Sequence, residues 1–96
     1  MKTYGGIRTI DGLQVTVDGA PLDDGRHVRC YSDAGIEWGY MGDAPRQLAL
    51  ALLLDHLGDE EKAEKGADAF MKKVVAVLDN EWTLTSAEID EALTGA

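Results

Sequence analysis

A chain of 96 residues, 45% hydrophobic and 28% charged with only two prolines, is long enough for one core and too short for two; one domain over 1–96 is expected. Eighteen acidic against nine basic side chains give a net charge of −9, which repels nucleic-acid phosphates and anionic membranes and favours basic protein surfaces. The apolar runs fall far short of the roughly 20 residues a membrane span needs, the N-terminus lacks a signal-like apolar core, and the lone Cys30 excludes an internal disulfide, so a cytoplasmic location without membrane contact is expected.

The chain opens on strand signals. Ile7-Arg8-Thr9-Ile10 and Leu13-Gln14-Val15-Thr16-Val17 are β-branched runs separated by Asp11-Gly12, a pair suited to a two-residue type I′ loop. Leu13, Val15 and Val17 alternate with Gln14 and Thr16, the pattern of a sheet buried on one face and wet on the other. Asp18-Gly19 repeats the turn signal and sends Ala20-Pro21-Leu22 briefly back, with Pro21 fit for an edge or a strand end. After Asp23-Asp24-Gly25, the alternation of His27 to Tyr31 predicts another strand, and Ile36, Trp38 and Tyr40 predict a last one. Residues 1–42 therefore read as an antiparallel β-meander of three to five short strands.

Residues 43–96 read as the helical half. Gly42-Asp43-Ala44-Pro45 predicts a helix from Pro45 to about Leu57, with Asp43 as N-cap and Gly58 as the stop. Leu50, Leu53, Leu54 and Leu57 form one stripe, while Leu48 and Leu52 form a second on nearly the opposite side. Such a helix is sandwiched, one stripe on the sheet and the other on a second helix or another subunit. Asp59-Glu60-Glu61 opens an amphipathic second helix with Ala63, Ala67, Phe70, Met71, Val74 and Leu78 on its apolar face and Gly66 as its weak point. Thr85-Ser86-Ala87-Glu88 matches a capping box and starts a short third helix, leaving Trp82 in the connection between helices. The order of elements gives an α+β fold, a meander packed against two main helices and a short C-terminal one.

Side chains with catalytic potential are few. Cys30 is the best nucleophile, yet His27 lies three residues away on a predicted strand and points to the opposite face, so the two do not pair. The expectation is a buried structural cysteine and no enzyme, with a small enzyme using Cys30 or His27 as the weakest alternative. One cysteine and the separated His27 and His56 do not make a metal site, and neither Asp23-Asp24 nor Asp55-His56 has ligand spacing. Gly39-Tyr40-Met41-Gly42 before a helix superficially resembles an anion cradle, but Asp43 fills it with its own charge and no lysine accompanies it, so no cofactor is expected. Contact residues remain: Glu37, Trp38 and Tyr40 ahead of the first helix, and Glu88, Asp90 and Glu91 in a C-terminal acidic crowd able to imitate phosphates in a DNA groove. The plainer reading of the same residues is a solvated helix surface and core tryptophans.

Ile36-Glu37-Trp38-Gly39-Tyr40, Gly42, Pro45 and Leu48 to Asp55, taken with Ile10 to Leu13 and Trp82 to Thr85, resemble a family of small uncharacterised proteins in phages, plasmids, bacteria and archaea. Its pattern here is WGYxGxxPxxLALALLLD, and the resemblance covers most of the chain without supplying an activity or a catalytic residue. Association with mobile elements implies a host-directed or anti-defence role, such as that of an anti-CRISPR protein. The function expected is thus a non-enzymatic acidic protein-binding module, an inhibitor acting by steric or DNA-mimicking occupation of a basic or nucleic-acid-binding protein surface. The alternative from a different class is an assembly module, a homodimer joined through a leucine stripe of the first helix.

Overall fold

In the computed structural model, which describes residues 2–33 and 35–94, the N-terminal alternation becomes three antiparallel strands, β1 (Thr3–Thr9), β2 (Gly12–Val17) and β3 (Ala20–Pro21). The first turn sits one residue earlier than expected. Ile10-Asp11 form its tip, Thr9 pairs with Gly12, and Gly12 takes the left-handed side with φ +123°. The Thr9 hydroxyl accepts the Asp11 amide at 3.2 Å and donates to the Gly12 carbonyl at 2.8 Å, which fixes that register. Asp18-Gly19 form the predicted two-residue loop with φ +50° and +85°, and the Asp18 carboxylate accepts the Thr3 amide at 2.8 Å.

The helical half begins with α1 (Asp43–Leu57), whose first residue is Asp43 with Gly42 in the cap position. Asp43 makes no cap; its carboxylate turns to Arg46 at 2.9 Å instead. Gly58 ends the helix at φ +66°, its N–H bonded to the Leu54 carbonyl. Asp59 caps α2 (Glu60–Lys73) by accepting the Lys62 amide at 3.1 Å, and a 3-10 turn over Val75–Val77 follows. A Cβ on Gly66 would stand 3.3 Å from Leu53 Cδ1, so the expected weak point of α2 is a place where α2 packs closely on α1.

One strand comes from an unexpected place. Glu81–Thr85 forms β4, which pairs antiparallel with β1 and completes a four-stranded sheet in the order β3-β2-β1-β4. Trp82 is therefore a strand residue and not part of a helix connection. It shares the covered face with Leu84, and Gly6 lies opposite it in register, where a Cβ would come within 2.4 Å of the indole. Only glycine lets that ring cross β1. Trp82 meets Trp38 edge to face, centroids 5.6 Å apart at 84°. The capping box then opens α3 (Ser86–Thr94): Thr85 Oγ1 accepts the Glu88 amide at 3.2 Å and Glu88 Oε1 accepts the Thr85 amide at 3.0 Å.

The leucine-rich helix is enclosed on every side over residues 47–53. Leu48, Leu50, Leu52 and Leu53 are fully buried within the chain, while Leu54 and Leu57, at the end of the first stripe, are partly buried. Among the described residues, no helix is long and apolar enough to cross a membrane.

Two of the strands expected within 1–42 do not form: residues 27–31 make a turn and then irregular chain, and 36–40 are irregular as well. In 36–40 the Glu37 and Gly39 amides bond to the Ala44 and Val75 carbonyls, and around 24–32 part of the backbone is satisfied by a side chain of α1. Gln47 is fully buried, donates from Nε2 to the carbonyls of Asp24 at 2.7 Å and Arg29 at 3.1 Å, and accepts at Oε1 the amides of Tyr31 at 2.7 Å and Ser32 at 3.4 Å. One primary amide thus replaces a strand ladder, with both donors and both acceptor positions in use. Substituting Gln47→Ala or Gln47→Leu strands those backbone groups and is expected to lower the unfolding free energy by about 3 kcal/mol. Urea denaturation checks this, and a Gln47→Leu midpoint equal to wild type would contradict it, because leucine restores volume but not the hydrogen bonds.

Candidate functional site

The contact residues expected from sequence divide between the two ends of β4. At the Trp82 end, Trp38 is wholly buried and is a core residue, so its ring is not a surface anchor. Glu37 pairs with Arg8 at 2.6 Å and accepts the Trp38 amide at 2.9 Å, while the Arg8 guanidinium donates to the Trp38 carbonyl at 2.9 Å and lies 4.8 Å over its ring. These contacts commit Glu37 to holding the loop. Tyr40, half exposed, and the more exposed Met41 are the residues of that segment that face water.

At the Thr85 end, Glu88, Asp90 and Glu91 are exposed on α3. Glu88 serves the capping box, and Asp90 meets His56 Nε2 at 2.5 Å. A groove of about 370 Å³ runs between the end of α2, β4 and α3, lined by Lys73, Val74, Leu84, Glu88, Glu91 and Ala92. Lys73 Nζ donates to the Ala92 carbonyl at 3.0 Å across it. The sequence reading missed this groove because it missed β4, although the alternation of Trp82 and Leu84 with Glu81 and Thr83 carries the strand signal.

The catalytic alternative does not gain from the geometry. Cys30 is exposed, contrary to the buried cysteine expected, and its thiol donates to Asp33 at 3.3 Å. That hydrogen bond, with some desolvation and the Asp33 charge, pushes the thiol above its ordinary range and keeps the nucleophilic thiolate scarce. His27 turns to Asp23 at 3.4 Å. Among the described residues, no group of three or more His, Cys, Asp or Glu side chains is placed to hold a metal.

A second cavity of about 320 Å³ lies between the 22–28 loop and the junction of α1 with α2, with Asp23, His27, Asp55 and Asp59 among its walls. Its deepest carboxylate is already occupied. The hydroxyl of buried Tyr4 donates to Asp55 Oδ1 at 2.7 Å and Lys2 Nζ reaches the same oxygen at 2.9 Å. Burial, then the bond to Asp55, pushes the Tyr4 phenol well up. For Asp55 burial acts in the opposite sense to the final shift: the hydrogen bonds from Lys2 and Tyr4, with the Lys2 and His56 charges, outweigh it and hold the carboxyl below its usual range. A folded carboxyl that titrates below its unfolded counterpart stabilises fully above about pH 4 and loses that contribution as pH falls through the folded value. The melting temperature of the wild type should therefore drop more steeply below about pH 4 than that of Asp55→Asn; parallel acid limbs in calorimetry would contradict the assignment.

The model of a family described as Family of unknown function (DUF6166) matches residues 4–95. No curated protein and no solved structure matches the chain.

Proposed function

This chain belongs to the DUF6166 family of unknown function, and we propose that it is a non-enzymatic protein-binding module that offers fixed carboxylates to a basic, nucleic-acid-binding surface of its partner. The observation that carries the reading is the stretch 79–94, which contains Asp79, Glu81, Glu88, Asp90 and Glu91, all exposed, and neither lysine nor arginine. Its backbone is pinned by the β1–β4 pairing and the capping box, so the charges are held in place before a partner arrives. Preorganised charge speeds encounter and avoids the ordering cost of a flexible acidic tail. In its finer form the module is an anti-defence inhibitor, anti-CRISPR-like, that occupies a groove evolved for nucleic acid. The thiol of Cys30, kept protonated beside Asp33, weighs against the enzyme alternative.

Immobilised protein is expected to retain nucleic-acid-binding proteins from a bacterial lysate and to release them to duplex DNA. A Glu81→Lys/Glu91→Lys variant, which spares the capping box and the His56–Asp90 contact, should lose capture at least tenfold, about 1.4 kcal/mol, with its melting temperature unchanged. Retention of no protein that DNA displaces would count against the proposal.

A further inference from the structure

The sheet has two edges of different character. On the β3 side the edge strand is two residues long and ends in Pro21, and the following Leu22 amide donates to the Val15 carbonyl at 3.0 Å, so Val15 to Val17 of β2 are covered and the open stretch Gly12 to Gln14 carries no charge. The other edge is β4, five residues long with no proline and no lysine. The Ser86 amide donates to the Lys2 carbonyl at 2.9 Å, so Ser86, Leu84 and Trp82 turn their backbone groups toward β1, and the alternate residues Thr85, Thr83 and Glu81 turn theirs outward. Glu88 takes the Thr85 amide. The N–H and C=O of Glu81 and of Thr83 face outward with no strand beside them among the described residues, two residues at about 6.8 Å spacing.

From this edge we infer that the partner docks as an added β-strand: an extended basic segment, apolar at alternate positions, pairs with Glu81 and Thr83 of β4. The inference rests on the acidic-surface reading above and gives it a binding mode. Charge selects the occupant. Glu81 on the strand and Glu88 and Glu91 at its Thr85 end suit lysine or arginine, whereas a second copy would bring the same glutamates face to face. The groove between Val74, Leu84 and Ala92 accepts an apolar side chain of the incoming segment beyond the Thr85 end.

A ten-residue peptide of alternating valine and lysine, titrated into the full ¹⁵N-labelled chain, tests the inference. The Glu81 and Thr83 amides are expected to shift and to exchange with solvent at least tenfold more slowly. Thr83→Pro, which removes an outward N–H while leaving the β1 ladder in place, should weaken binding at least tenfold. As a check that does not depend on that variant folding, N-methylation of alternate peptide residues should abolish binding to the wild type, and Glu91→Lys should weaken it at least threefold. A peptide that shifts α3 amides, leaves Glu81 and Thr83 exchange unchanged and is indifferent to N-methylation overturns strand addition while the acidic-surface reading stands. Absence of binding at millimolar peptide overturns strand addition as well, and displacement by DNA then decides the acidic-surface reading on its own.

Discussion

A helix whose middle, Leu48 to Leu53, is apolar all round cannot border water there on any side. Leu48, Leu50, Leu52 and Leu53 of α1 are each fully buried, and at about 1.5–3 kcal/mol per buried leucine their exposure would cost on the order of 10 kcal/mol, comparable to the whole stability of a small domain. Three different covers meet that requirement. Tyr4, Val15, Trp82 and Leu84 close one side from the sheet, Ala63, Ala67, Phe70 and Met71 of α2 close another, and the irregular segment between β3 and α1 closes the rest. The last cover has no ladder of its own. Gln47, a fully buried polar residue of the core, stands where that segment needs hydrogen bonds and supplies four of them.

Enclosing the apolar helix leaves the charged residues to form the surface, and the acids gather where β4 runs into α3. The tryptophans close the core beneath that strand. Both indole N–H groups are buried without an acceptor, a cost of about 1–3 kcal/mol each, which the burial of two large rings and their edge-to-face contact offset. The burial of Trp82 under Gly6 ties β4 to β1, and so the position of the acidic segment depends on the core.

Much of this was legible where the signal is local. The Asp18-Gly19 loop, the Gly58 stop, the acidic opening of α2 at Asp59-Glu60-Glu61 and the Thr85/Glu88 box each follow from short-range chemistry, and each is where those residues place it. Failures occurred where partners lie far apart in sequence. The alternation at 27–31 and 36–40 is present, but a strand needs a neighbouring edge, and Gln47 captures part of that chain instead. β4 is the converse: five residues between helices become a strand because β1, some 80 positions earlier, offers a free edge and Gly6 offers room. The groove beside α3 depends on that pairing and was invisible for the same reason. Asp43 illustrates a smaller competition, in which Arg46 takes the carboxylate that the cap would have used.

Native-state hydrogen exchange measures most directly whether enclosure of α1 governs the fold. The amides of Leu50 to Leu53 should exchange only through global unfolding, with an opening free energy equal to that from urea denaturation and unsurpassed elsewhere in the chain. Amides in α1 that open at lower free energy than those of β1 would contradict the account.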